Sequence, residues 1–227
     1  MKLSIIVPAL DEAEGIAPML DSLAPLRARG AEVIVVDGGS RDATVEHALP
    51  RADCVLSSPP GRAEQMNAGA ARASGDVLLF LHADSRLPAG ADRLVIEGLK
   101  SSGRECGRFD VTIIGRQRLL AVVAFFMRMR SRLTGLATGD QAIFVRRNAF
   151  AAAGAFPPIA LMEDIALCKR LKRIGPPLCL SDRVVTSGRR WERHGVLTTI
   201  LLMWRLRLAY FLGADPARLA QHYGYGE

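Results

Sequence analysis

EVIVVDGGSRDAT, residues 32–44, is the stretch that decides the fold. Residues 32–36 form a short β-prone run, and Asp37, Gly38 and Gly39 end it abruptly. A strand this apolar has both faces covered, as in a parallel sheet between helices. The same layout recurs on either side. Residues 3–7, 53–56 and 77–81 read as further strands, and residues 12–29, 41–49, 63–73 and 89–100 as helices between them. Strands separated by helices predict βαβ units with right-handed crossovers. The second half is less regular: strands over 108–114 and 141–145, helices over 116–133, 162–174 and 196–212, and an extended run over 178–186. Asp215-Pro216 opens a last short helix, with an N-cap and proline at the first helical position.

Composition narrows the class. The chain has 227 residues, 49% hydrophobic and 23% charged, which argues against disorder, collagen-like repeats and coiled coil. One α/β domain over 1–227 with a helical C-terminal appendage is expected. Cys54, Cys106, Cys168 and Cys179 are scattered without a CxxC pair, so neither a disulfide scaffold nor a zinc ribbon is supported. They read as reduced cysteines of a cytosolic protein. The net charge of +7 favours an anionic partner without choosing among nucleotide, nucleic acid and membrane. Residues 2–10 read as a buried strand rather than a signal peptide, because Asp11, Glu12 and Glu14 follow at once. The apolar stretches 119–127 and 196–213 are too short, or carry too much charge, to span a bilayer.

In an open parallel sheet, ligands bind beyond the carboxyl ends of the strands. Polar residues stand at four such ends: Asp11 and Glu12, then Asp37 to Asp42, then Gly61 and Arg62, then His82 and Asp84. A carboxylate at a strand end is costly unless paired or used, so Asp37 suits a ribose hydroxyl or a base N–H. Asp84 suits Mg²⁺ or Mn²⁺, which take few protein ligands and draw other oxygens from diphosphate and water. His82 alone reads as a packed core histidine. Glu163 and Asp164 open a helix, where the dipole stabilises negative charge, and capping would account for them locally.

The ordered set SIIVPALDEAEGI (4–16), VVDGGSRDAT (35–44), residues 62–67, DVLLFLHAD (76–84) and MEDIALCKRL (162–171) resembles the family 2 glycosyltransferases of the GT-A fold. HAD (82–84), GDQAIF (139–144) and SGRRW (187–191) resemble a bacterial subgroup of short enzymes within it. The resemblance implies a mostly parallel sheet flanked by helices. Residues 1–100 would hold the nucleotide sugar, 101–190 would face the acceptor, and 191–227 would form C-terminal helices. It implies an inverting, metal-dependent transfer from a nucleotide-diphosphate sugar, UDP favoured, to a hydroxyl acceptor, with no nucleic acid as partner. Ala9, Glu12, Asp37, Arg62, Asn67, Arg189 and Arg190 would contact the donor. Asp84 would hold Mg²⁺ or Mn²⁺, with His194 recruited because His82 replaces the first acid of the DxD motif. Asp164 would be the general base, Glu163 its support or the alternative base, and Asp140 and Gln141 would face the acceptor.

Two further readings stay open. A module that binds nucleotide sugar or docks on a membrane without strong catalysis fits the missing acid. The Arg-flanked segments 116–132 and 196–212 are packed helices with snorkelling arginines, or lie on an anionic bilayer. The second case implies a peripheral protein at the inner face of the membrane and a lipid-linked acceptor. A homodimer is compatible with either.

Overall fold

The computed structural model describes residues 1–223; the last four positions of the expected C-terminal unit, 224–227, lie outside them. Strands β1 (Leu3–Ala9), β2 (Glu32–Asp37), β3 (Cys54–Ser57) and β4 (Val77–Phe80) are mutually parallel. Helices α1 (Ala13–Ala28), α2 (Thr44–Ala48) and α3 (Arg62–Arg72) connect them. Next come the two-residue β5 (Ser85–Arg86), α4 (Ala91–Ser102), β6 (Cys106–Ile114), α5 (Leu119–Thr134), β7 (Phe144–Arg146), α6 (Arg147–Ala152), α7 (Glu163–Ile174) and β8 (Leu178–Ser187). The chain closes with α8 (Arg189–His194), α9 (Val196–Phe211) and α10 (Pro216–Tyr223). All eight strands share one sheet, in the order β3-β2-β1-β4-β7-β6-β8-β5. β7 runs antiparallel to β4 and β6, and β5 antiparallel to β8.

Alternation along the central strands explains their unbroken apolar character. Ile5, Val7, Val33, Val35 and Leu79 face one core with α1 and α4. Ile6, Ile34, Val36, Leu78 and Phe80 face the other with α3, α6 and α7. Both faces are therefore dry, and only the strand ends are left for chemistry.

α3 lies close on the sheet because Gly69 has no side chain: a Cβ there would stand 2.5 Å from Ile6 Cγ2 and 3.0 Å from Val36 Cγ2. Gln65, one turn earlier and buried, donates from Nε2 to the carbonyls of Ala9 and Val36, each at 2.8 Å. The ends of β1 and β2 are thus pinned by a side chain of α3.

Several elements depart from the sequence reading. The strand expected over 141–145 begins at Phe144; residues Gly139–Gln141 form a 3-10 turn and Ala142 takes a left-handed φ of 44°. The helix expected over 41–49 starts at Thr44, since Asp42 is bound to the Thr44 and Ala13 amides. Neither α6 nor α8 was expected, being too short for a periodic signal. Replacing Gly69 with alanine is expected to lower unfolding stability by about 1–3 kcal/mol through overpacking, read from urea midpoints at unchanged slope.

Candidate active site

The sheet delivers two groups of polar side chains to one edge, joined by the His82-Ala83-Asp84 turn after β4. Ser85 N–H closes that turn on the His82 carbonyl at 3.0 Å. The half-buried His82 and Asp84 flank the buried Ala83.

The first group surrounds Asp84. Arg189, at the start of α8, donates to Glu12 Oε2 at 2.9 Å. The Glu12 bond, with the nearby charges of Glu12 and Asp84, raises the Arg189 guanidinium above its usual value against the opposing effect of burial. Glu12, Asp84 and Arg189 therefore share a neighbourhood although 177 positions separate the outer pair. Asp37 is buried and accepts the amides of Gly39 and Ser40 at 3.0 and 3.1 Å, and the Ser40 hydroxyl. It shapes the Gly-rich turn after β2, where Gly39 has a φ of 95°. Ala9 is buried, and its carbonyl is taken by Gly38 N–H and Gln65.

The second group surrounds α7. Asp164 Oδ2 accepts the Gly139 amide at 3.0 Å, and Oδ1 accepts the Ile165 amide at 2.6 Å. Glu163 is buried beside it. Burial first, then the Asp164 charge, pushes the Glu163 carboxyl up to about 7, while Arg62 and His82 pull the other way. Burial also raises Asp164, opposed by its two amide bonds. His82 Nδ1 lies 3.4 Å from Asp140 Oδ1. Burial would raise Asp140, but the His82 bond and the charges of His82, Arg62 and Arg130 hold it below the usual carboxylate value. His82, Gly139, Glu163 and Asp164 line one small cavity with Met66, Phe80, Ile143 and Phe156.

Two members of this group were missed in the sequence. His82, which alone read as a packed core histidine, is half-buried and faces Asp140. Arg130, read only as part of a basic helix, turns inward: its Nε and Nη2 are buried without a hydrogen-bond partner. Burial lowers its guanidinium, against the charges of Asp164 and Asp140. A hydrophobic pattern shows which helix face is buried, but not that one buried residue is an arginine reaching the next element. Tyr223 also lies near the site, within the fields of Arg62, Asp140 and Asp164.

Other expected residues are occupied elsewhere. Asn67 exchanges two bonds with the Phe156 backbone, at 2.9 and 3.1 Å, and acts as a clamp between α3 and the segment before α7. Arg190 bonds the Tyr223 carbonyl and stacks 3.6 Å from its ring centroid, tying α8 to α10 rather than facing a donor. Gln141 is fully buried and bonds Ser131 Oγ at 3.0 Å, so it stands behind the acceptor side, not on it. His194 is exposed at the end of α8. Among the described residues, no group of three or more His, Cys, Asp or Glu side chains is arranged to hold an ion. The donor set near Asp84 is one carboxylate with hydroxyl neighbours, Ser85 at 3.3 Å and Thr186 at 3.5 Å. That set does not enclose a resident metal. It fits a hard cation that arrives with most of its oxygens already supplied by a diphosphate and water.

Comparison with known proteins identifies the fold and the family. The chain is 33% identical over 135 residues to an uncharacterized glycosyltransferase of Mycobacterium tuberculosis, covering 55% of this chain and 51% of that one. Over 92 residues it is 33% identical to a glucosyl-3-phosphoglycerate synthase of Mycolicibacterium paratuberculosis, covering 36% of this chain and 28% of the relative. The chain thus spans about half the length of the first relative and less of the second. In solved structures the fold recurs in S. aureus TarS in complex with UDP, at a TM-score of 0.67 and 19% identity, over 82% of this chain and 60% of TarS. It recurs in a mannosyltransferase of Pyrobaculum calidifontis in complex with GDP-Man and Mn²⁺, at a TM-score of 0.65 and 21% identity, over 91% of this chain and 60% of the other. The family model for glycosyl transferase family 2 matches residues 4–152, well over half of the sequence, and the chain belongs to that family.

Proposed function

We propose that the chain transfers a sugar, with inversion, from a nucleotide-diphosphate donor to a hydroxyl of an acceptor. The donor side is assigned to residues 1–100, the acceptor side to 101–190, and residues from 191 onward support both. The observation that carries this reading is the pair of groups at one sheet edge. Glu12, Asp84 and Arg189 stand on one side of the His82–Asp84 turn, and Asp140, Glu163 and Asp164 on the other.

On the donor side, the turn after β2 and the cationic Arg189 and Arg62 suit a nucleoside diphosphate. UDP is the nucleotide we assign, since TarS was crystallised with UDP. Asp84 would hold Mg²⁺ or Mn²⁺, which supplies positive charge to the diphosphate when bound. Arg189, released from Glu12, would add to that charge as the leaving group forms.

On the acceptor side, Asp164 is the general base. The acceptor O–H gives its proton to Asp164, its oxygen bonds the anomeric carbon, and the bond to the diphosphate breaks with both electrons leaving on phosphate oxygen. The two amide donors fix the Asp164 carboxylate and oppose the upward push that burial gives it, while burial and the Asp164 charge carry Glu163 up to about 7. Adjacent carboxyls of this kind titrate as a pair. Asp140, tied to His82, and the inward guanidinium of Arg130 would orient the acceptor.

The lone carboxylate in the turn favours a second reading, a donor-binding module with weak turnover. Product formation from UDP-sugars in an acceptor screen separates the two. Asp164→Asn is expected to lower turnover by about 10²–10⁴-fold with donor affinity retained by calorimetry. Asp84→Ala is expected instead to abolish the Mn²⁺-dependent part of donor binding. Loss of donor affinity in the first variant, or no change in the second, would overturn the assignments.

The rate is expected to rise with pH through about 7 as the acid pair gives up its last proton. Glu163→Gln should move this limb to lower pH, and Arg130→Met to higher pH, because a cation beside the acids is lost. The Glu163 value lies above the ordinary carboxylate range in the folded chain. Its contribution to stability is therefore present at acid pH and lost as pH rises through about 7. The fall in Tm over that interval should be smaller in Glu163→Gln.

A further inference from the structure

Helix α5 is apolar on both of its long sides. Its inner row, Leu120, Val123, Ala124 and Met127, packs with Val111 and Ile113 of β6 and Val196 of α9. Its outer row, Leu119, Val122, Phe126, Met129 and Leu133, faces outward, with Phe126 64% and Leu133 80% exposed. Helix α9 repeats the arrangement. It buries Val196, Thr199 and Leu206, and exposes Leu197, Leu201, Trp204, Leu208 and Phe211, with Trp204 68% exposed. Those five follow a spacing of four and three in turn, a single stripe along the helix. A surface helix ordinarily turns charged residues to that side. Val196 of α9, with Ile200 at its margin, belongs to the same hydrophobic cluster as the inner row of α5.

Charge says what covers this face. Residues 115–134 and 195–212 contain no Asp or Glu, while Arg116, Arg118 and Arg205 are exposed among the apolar side chains. A second copy meeting through the same face would set the arginines of these segments against one another, and the Glu192 carboxylate of α8 beside them is already held by the Arg116 amide at 2.5 Å. An anionic lipid headgroup would complement them, and the acyl boundary beneath would accept the phenyl, indole and leucine side chains. Neither helix spans: each has 16 residues, and among the described residues no helix is long and apolar enough to cross a membrane.

We propose that α5 and α9 form a docking face for an anionic bilayer, lying in its headgroup–acyl boundary. The proposal stands apart from the transferase reading, but it bears on it. Leu206 on the inner side of α9 packs with Met162, the residue before Glu163, so the docked element borders the acid cluster.

Vesicle sedimentation and tryptophan emission test it on the full chain. The protein is expected to sediment with phosphatidylcholine vesicles containing phosphatidylglycerol, to stay in solution with phosphatidylcholine alone, and to be released by added salt. In Trp191→Phe, which leaves Trp204 as reporter, emission should shift to the blue on binding. Phe126→Asp combined with Leu201→Asp should weaken sedimentation by roughly tenfold or more, with far-UV circular dichroism unchanged. Arg116→Glu with Arg118→Glu, which leaves the apolar rows intact, should weaken it as well. Failure to sediment with anionic vesicles at low salt would overturn the proposal. So would equal binding to neutral vesicles, or a solution dimer that Phe126→Asp dissociates.

Discussion

One hydrogen bond organises the half of the site that lies outside the parallel strands: the Gly139 amide held by Asp164 Oδ2 at 3.0 Å. It fastens the first turn of α7 to the 3-10 turn before β7, and these approach the carboxyl end of β4 from different parts of the chain. With that contact in place, Asp164 is fixed at both oxygens and Asp140 is presented to His82. Glu163, buried beside Asp164, lines the cavity that His82 and Gly139 also border. The unusual proton affinity of Glu163 follows from this enclosure rather than from any feature of the glutamate itself.

The buried charges beneath the acceptor half follow the same logic. Arg108 is 1% exposed inside β6 and pairs with Asp110, which also accepts Arg132 of α5 at 2.9 Å. Arg128 of the same helix donates to the Val111 carbonyl at 3.0 Å. Three arginines of the basic helix thus take part in interior contacts, Arg130 among them through its field on the acids. Such networks add little net stability over an apolar substitute, but losing one partner strands the other. They hold α5 in a single rotation about its axis, and that rotation leaves its second apolar row outside.

The first half of the chain was legible because its strands are dry on both faces. The runs at β1, β2 and β4 admit no other period, and the polar residues that end them mark the sheet edge. Asp37 and Asp84 stood out because carboxylates at strand ends need partners, whereas the Glu163–Asp164 pair, which capping would explain locally, stood out only through the family resemblance. The second half was harder. β8 has three partly covered positions followed by three open ones before any alternation sets in, and the turn at Gly139–Gln141 looks like a strand start until the Asp164 contact is known. Asn67, Gln141 and Arg190 bond other parts of the chain, and a polar side chain near a site has no local mark that tells a ligand contact from such a bond. Phe156, Ser131 and Tyr223 claim them, at separations of 89, 10 and 33 positions. Family membership supplied the expectation of a transferase. Burial and hydrogen-bond partners sorted the residues within it.

The bare backbone at Gly139 links two distant positions. A methyl group there would collide with the His82 imidazole, which could move aside only by leaving Asp140. Among descendants of this sequence, then, a side chain at 139 should be tolerated only where residue 82 has become smaller. The two sites would drift together as a covarying couple, visible in an alignment as a shared substitution rather than as two independent ones.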